Sequence, residues 1–239
     1  MTNTSTHAHS LSRRGVLTGL GAAGVAAGLG AVAAQVPAAA YTGTPDTPAA
    51  ALAHVLAGNA RFRAGRSRHP HQTLADVRRL AAGQDPFVVV LGCADSRVAP
   101  EVLFDQGLGD VFDNRVAGNV VDAAVTGSIE YAVAEFASPL IVVLGHERCG
   151  AVVATVESIE HGTTPPGSIG ALVDAIRPAV EPVLHHPGDT IENAVRANVR
   201  YQVGRLVAGS AIIRDAVAAR ALRVVGARYD LETAAVTVL

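Results

Sequence analysis

The stretch Phe87-Val88-Val89-Val90-Leu91-Gly92 decides the fold, because a second stretch of the same kind, Leu140-Ile141-Val142-Val143-Leu144-Gly145, follows it. Both are short, rich in β-branched residues and preceded by a proline, Pro86 or Pro139. Uninterrupted apolar runs of this length are typical of strands that are buried on both faces, as in parallel sheets. Helical patterns fill the sequence between and after the two runs. We therefore predict an α/β protein with a mainly parallel central sheet flanked by helices.

Residues that can bind a metal follow both predicted strands. Cys93 comes directly after the first run, and His146 and Cys149 come after the second. Open parallel sheets bind ligands beyond the carboxyl ends of their strands, and a helix beginning near Cys149 would let the His-x-x-Cys side chains converge. Two thiolates and one imidazole fill three positions around Zn²⁺ and leave the fourth open, as in catalytic zinc sites. We therefore expect Cys93, His146 and Cys149 to hold zinc.

Each of these residues also has an ordinary interpretation. A cysteine is often a small buried hydrophobic residue, a histidine can belong to the core, and Asp95 and Arg97 could form a simple ion pair. A disulfide between Cys93 and Cys149 could form in an oxidising compartment. It would leave His146 and the Asp95–Arg97 pair unexplained, so the combined pattern favours a metal.

Beyond these residues, the sequence resembles the β-class carbonic anhydrases. The resemblance rests on Gln84-Asp85-Pro86, GCADSRV at 92–98, GDVFDNRVAGNVV at 109–121, GSIEYAV at 127–133, VLGHERCGAV at 143–152 and VGARYDLETA at 225–234. It extends from about Gly58 to the C-terminus, and it departs from many relatives at Val116, where they carry Asn. The resemblance implies an enzyme, a zinc-dependent carbonate dehydratase of the lyase class. Its reaction would be the reversible hydration of CO₂ to bicarbonate and a proton by zinc-bound hydroxide.

The resemblance also implies roles for individual residues. Asp95 would accept a hydrogen bond from zinc hydroxide, and Arg97 would hold that carboxylate in place and keep it ionised. Gln84 would bind the substrate or bicarbonate, and the backbone N–H of Gly150 would bind a neighbouring oxygen. In some relatives the aspartate itself moves onto zinc and closes the site, a form associated with a bicarbonate pocket that includes a tryptophan. Val90 stands at that tryptophan's position, so we expect the open form.

Two other functions would use the same ligands. A related zinc hydrolase could act on CS₂ or COS, and the ligands alone do not separate these substrates from CO₂. A non-catalytic zinc-binding module is the other alternative, but it would give Asp95, Arg97 and Gln84 no role.

Composition narrows the class of protein. With 239 residues, 49% of them hydrophobic and 17% charged, the chain can bury one sizeable core, so we expect a single zinc domain over residues 41–239. The net charge of −2 gives no reason to expect nucleic-acid binding. All nineteen basic residues are arginines, which excludes lysine Schiff-base chemistry. In the family that the chain resembles, N-terminal helices pack across a dimer interface, so we expect a homodimer or a higher even oligomer.

Residues 1–40 have the pattern of a twin-arginine signal peptide. Ser12-Arg13-Arg14-Gly15-Val16-Leu17 opens a weakly hydrophobic Gly/Ala/Val/Leu stretch, and Ala38-Ala39-Ala40 offers a small-residue cleavage site. We expect export to the periplasm, the cell wall or the medium, with no stable membrane insertion after cleavage. An uncleaved membrane anchor is the alternative.

Local signals predict where helices begin and end. Thr47 followed by Pro48 is typical of a helix start, and Thr73 with Asp76 forms a capping-box pattern. Pro178, Pro182 and Pro187 are predicted to interrupt the apolar stretch in which they lie.

Overall fold

The structure, a computed structural model, describes residues 44–239, which lie within one compact unit. Their strands form a five-stranded sheet in the order β2-β1-β3-β4-β5. The strands are β1 (Val88–Gly92), β2 (Val111–Arg115), β3 (Leu140–His146), β4 (Arg223–Tyr229) and β5 (Val236–Val238). β1 to β4 run parallel and β5 runs antiparallel to β4. The predicted α/β fold with a mainly parallel sheet is confirmed.

Eight α-helices flank the sheet in the described part of the chain. They are α1 (Pro48–Arg63), α2 (Leu74–Leu80), α3 (Pro100–Leu103), α4 (Ala123–Phe136), α5 (Gly150–His161), α6 (Ile169–Val180), α7 (Thr190–Gly209) and α8 (Ala211–Ala218). Two short 3₁₀ turns cover Ala117–Asn119 and Glu181–Val183.

Side chains of the sheet alternate between two cores. Val88 and Val90 of β1 pack with residues of α1 and α3, whereas Val89 and Leu91 pack with residues of α4, α7 and α8. Every residue of β1 and β3 is buried, as expected for central strands covered on both faces. A third cluster joins α5, α6 and α7 around Cys93 and its neighbours.

The helix starts agree with the capping signals, and one proline prediction is wrong. Thr47 accepts a hydrogen bond from the backbone N–H of Ala50, and Thr73 and Asp76 cap α2 reciprocally. Pro178, however, lies inside α6 and does not interrupt it. Only Ala179 and Val180 follow it in that helix, so the helix ends soon after the proline.

The register of the central strands places the candidate ligands together. Gly92 of β1 pairs with Leu144 of β3, so Cys93 and His146 leave the sheet at the same edge. Among residues 44–239, no helix has both the length and the apolar character needed to cross a bilayer. The predicted signal segment, residues 1–40, lies outside the described residues.

Candidate metal centre

The three predicted metal ligands converge at the carboxyl end of the sheet. Cys93, His146 and Cys149 are all buried, and their donor atoms lie within 4.8 Å of one another. Cys93 follows β1, His146 ends β3 and Cys149 is the N-cap of α5. Arg148 adopts a left-handed conformation with φ of 50°, which gives the tight turn between the last strand residue and the helix. Two neighbouring strands and one helix start therefore hold the group.

The spacing of the sulfur atoms suits zinc. The two Sγ atoms are 3.9 Å apart, and both cysteines are free. A tetrahedral zinc ion with Zn–S bonds of about 2.3 Å would hold its two sulfurs about 3.8 Å apart. The metal interpretation thus needs almost no movement, whereas a disulfide would have to bring the sulfurs much closer, to about 2.05 Å.

The histidine is oriented for metal binding. Its Nδ1 lies 2.9 Å from the carbonyl oxygen of Glu147, which can only accept, so Nδ1 carries the proton and Nε2 presents a lone pair. Nε2 is buried and has no hydrogen-bond partner among the described residues. Buried polar atoms are rarely left unpaired, and a metal would satisfy this one. The donor set therefore fits zinc in chemistry as well as in spacing.

The two thiols share a proton unequally. The hydrogen bond from Cys149 lowers the pKa of Cys93, and a backbone N–H of Gly118 adds to that effect at 3.4 Å from Sγ. The same thiol–thiolate hydrogen bond, together with burial, raises the pKa of Cys149. Because a metal binds thiolates, its entry would release the proton that Cys149 holds.

An ionised carboxylate lies beside the ligands. Asp95 Oδ2 is 3.9 Å from His146 Nε2. Arg97 donates from its side chain to both oxygens of Asp95, at 3.0 and 2.7 Å, and from its backbone N–H at 2.9 Å. These hydrogen bonds hold the pKa of Asp95 well below its usual range, so the group can act only as an acceptor near neutral pH.

Two further groups, not found by sequence reasoning, support the first ligand. Arg115 donates to the carbonyl oxygens of Cys93 at 2.9 Å and of Asp95 at 2.5 Å, which fixes the loop between them. Arg115 pairs with Gly92 in the register of β2 and β1, so it stands next to that loop. The other group is the backbone N–H of Gly118. The segment 109–121 carries both residues, and its only sequence signal is its place among the motifs of the family resemblance.

The two predicted substrate-binding residues are placed differently. Gly150 is exposed and begins α5 directly after Cys149, beside the metal ligands. Gln84 is also exposed but precedes β1, at the opposite end of the strand from Cys93. A strand of five residues spans about 17 Å, so one chain does not bring Gln84 to its own ligand group.

Comparison with known proteins identifies the family to which the chain is similar. The carbonic anhydrase family model matches residues 88–236. Carbonic anhydrase 2 of Mycobacterium tuberculosis is 46% identical over 189 residues, which is 79% of this chain and 91% of that protein.

Solved structures share the fold. A β-carbonic anhydrase of Coccomyxa in complex with acetazolamide superimposes with a TM-score of 0.61 at 28% identity, over 79% of this chain and 86% of its own. One of two tetrameric β-carbonic anhydrases from Sordaria macrospora gives a TM-score of 0.63 at 24% identity, over 79% of this chain and 96% of its own. With the buried Cys-His-Cys group already located, these similarities lead to one conclusion: the chain belongs to the β-carbonic anhydrase family.

Proposed function

We propose that the protein catalyses the reversible hydration of CO₂ to bicarbonate and a proton, with zinc held by Cys93, His146 and Cys149. One observation carries the proposal: the buried, unpartnered Nε2 of His146 faces two sulfurs at zinc spacing, with an ionised carboxylate 3.9 Å away. Zinc in such a site would act as a Lewis acid and lower the pKa of water, which makes a nucleophile available near neutral pH.

Asp95 would orient the attacking oxygen. Its carboxylate can only accept, so an O–H group beside Oδ2 must donate to it and turn a lone pair toward the carbon of CO₂. Arg97 keeps the carboxylate in place and ionised through three hydrogen bonds. The backbone N–H of Gly150, next to Cys149, is available for an oxygen of the substrate or of bicarbonate.

Gln84 would reach a site only from another subunit. Within one chain it lies at the amino end of β1, whereas the ligands lie beyond the carboxyl ends of the strands. We therefore propose a homodimer, or a multiple of it, in which each subunit offers Gln84 to its partner's site. The helix α2 supports an interface nearby, because it buries none of its residues and leaves Leu74 74% and Val77 47% exposed.

Stopped-flow measurement of CO₂ hydration tests the function. The unmutated protein should contain about one zinc per subunit and hydrate CO₂, whereas Cys149→Ser should lose zinc and activity because a neutral hydroxyl replaces a thiolate. His161→Ala is the matched control, since it removes an exposed potential ligand from the same helix. It should keep both zinc and activity.

Three results would contradict the proposal in different ways. Full zinc in Cys149→Ser would remove that residue from the ligand set. Zinc-loaded protein that hydrolyses CS₂ or COS but does not hydrate CO₂ would identify the related hydrolase. Zinc-loaded protein inactive on all three substrates would indicate a non-catalytic module.

We also propose that the chain is exported by the twin-arginine pathway. The support is the Arg13-Arg14 motif followed by a weakly hydrophobic stretch. A pathway that carries folded cargo would suit a protein that binds its metal before it crosses the membrane.

A further inference from the structure

A chain of buried hydrogen bonds lies behind the sulfur of Cys93. Its first member is Gly118, whose backbone N–H points to Cys93 Sγ at 3.4 Å. Gly118 has a left-handed φ of 74°, and a Cβ at this position would lie 2.6 Å from Cδ1 of Ile176 and 3.1 Å from Cβ of Ala151. Glycine suits this position, because its backbone is left-handed and the space that a Cβ would take is occupied by Ile176 and Ala151.

Two amide side chains of α7 hold the turn that contains Gly118. Asn198 donates from Nδ2 to the carbonyl oxygen of Gly118 at 2.9 Å. Gln202, one helical turn later, donates to Oδ1 of Asn198 at 3.0 Å and accepts from the backbone N–H of Val121 at 2.9 Å. The pair thus binds the 3₁₀ turn at Gly118 and the chain just after it at Val121. Asn198 and Gln202 are almost fully buried, with 1% and 0% of their surface exposed.

The position of these contacts links them to the metal ligand. The N–H that meets Cys93 and the carbonyl that meets Asn198 flank the same Cα atom of Gly118. Glycine has no side chain to restrict its rotation, so an external contact must fix the orientation of its peptide groups. Asn198 supplies that contact, and Gln202 fixes which way the amide of Asn198 points.

We propose that Asn198, oriented by Gln202, is a positioning residue for the metal centre. It keeps the Gly118 N–H directed at Cys93, where the hydrogen bond disperses the negative charge of the thiolate and orients its lone pairs. The inference rests on the zinc site proposed above. Groups that hold a metal ligand in this way commonly change metal affinity by about 10–100-fold when they are removed.

The test compares Asn198→Ala with a matched control, Asn59→Ala. Asn59 is also buried, at 3% exposure, and its amide also bonds backbone groups, namely the carbonyls of Leu103 and Ala234 and the N–H of Val236. These contacts join α1 to α3 and to the start of β5, and none of them touches a metal ligand. Both variants should lower the melting temperature. Only Asn198→Ala should raise the zinc dissociation constant, by about tenfold or more in competition with a chelator.

A second readout reports on the sulfur itself. In cobalt-substituted protein, the thiolate-to-cobalt charge-transfer band should move to longer wavelength in Asn198→Ala, because a thiolate without its N–H donor gives up charge more easily. Asn59→Ala should leave the band in place. A loss of stability alone would not shift this band.

The outcomes separate this inference from the proposed function. If the unmutated protein does not bind zinc, the proposed metal site itself fails. If the unmutated protein binds zinc and Asn198→Ala keeps the same affinity and band, the amide pair only stabilises the fold and the inference is overturned. Should Asn198→Ala fail to fold, Gln202→Met removes the orienting amide at similar volume. An unchanged affinity and band in that variant would equally overturn it.

Discussion

Replacing Asp95 by Asn tests whether this residue acts in catalysis or only stabilises the fold. The substitution keeps the size of the side chain, and an amide oxygen can still accept from Arg97. It removes the negative charge, however, and it can place an N–H donor 3.9 Å from Nε2 of His146, where an acceptor stood before. The attacking oxygen would then lose the group that orients it.

The structure allows both the loss of stability and the loss of rate in Asp95→Asn to be estimated. Arg97 is 58% exposed, so its ion pair with Asp95 contributes no more than about 1 kcal/mol to stability. For a domain of this size that corresponds to a fall in Tm of about 2–4 °C. An orienting group in a proton-transfer step contributes about 10²-fold in rate, or about 2.7 kcal/mol in the barrier. We therefore expect a large loss of activity with a small loss of stability.

The assay measures zinc content, Tm and CO₂ hydration near neutral pH on one preparation. Asp76→Asn is the control, because Asp76 is another arginine-paired aspartate, 3.3 Å from Arg79 on α2. The control should lose some stability and keep its rate. Full zinc with near-normal hydration in Asp95→Asn would refute the catalytic role, and loss of zinc would show that Asp95 instead supports the ligands.

Three further predictions follow from other parts of the chain. Gly58→Ala would place a Cβ 1.7 Å from the backbone carbonyl oxygen of Phe104, so it should lower the free energy of unfolding by about 1–3 kcal/mol or more in chemical denaturation. Gly127→Ala is the control, because a Cβ there meets open space, and it should raise the free energy of unfolding by about 0.5–1 kcal/mol. Burial raises the pKa of Asp113 to about 7, so the folded state holds a proton that the unfolded state releases near pH 4. Stability should therefore fall as the pH rises from about 4 to 7, because over this range unfolding releases a proton that the folded state retains. Tm measured against pH should be flatter over this range in Asp113→Asn. Replacing Arg13 and Arg14 by Lys should retain the precursor in the cytoplasm, and unchanged export on fractionation would show that the motif was misread.

The central strands could be predicted from the sequence because strands that are buried on both faces consist almost entirely of apolar residues. β1 and β3 are covered on both faces, so nearly every residue is aliphatic. β2 was not predicted, since Val111–Arg115 includes Asp, Asn and Arg. It is the terminal strand of the described sheet, with β1 as its partner, and its strand conformation comes from that pairing and not from local preference.

The metal ligands were predictable for a related reason. Strand ends in a parallel sheet share an edge, so Cys93 and His146 could be placed together from the sequence alone. The contact between Asn198 and the turn at Gly118 could not, because the two are 80 residues apart and meet only when α7 packs against the sheet. Gln84 was assigned to the site by family resemblance, although its place before the predicted strand already put it at the opposite end of β1 from Cys93.

The adjacency of β1 and β3 has a thermodynamic consequence. Cys93 and His146 are 53 residues apart in sequence, so an ion bound to both would act as a crosslink that the unfolded chain cannot keep. An ion that binds only the folded chain, at a free concentration of 100 times its dissociation constant, would add about 2.7 kcal/mol to the free energy of unfolding. At 2–4 °C per kcal/mol, Tm would rise by about 5–11 °C. The fraction of molecules that are folded at a given temperature would then depend on the concentration of free zinc during synthesis.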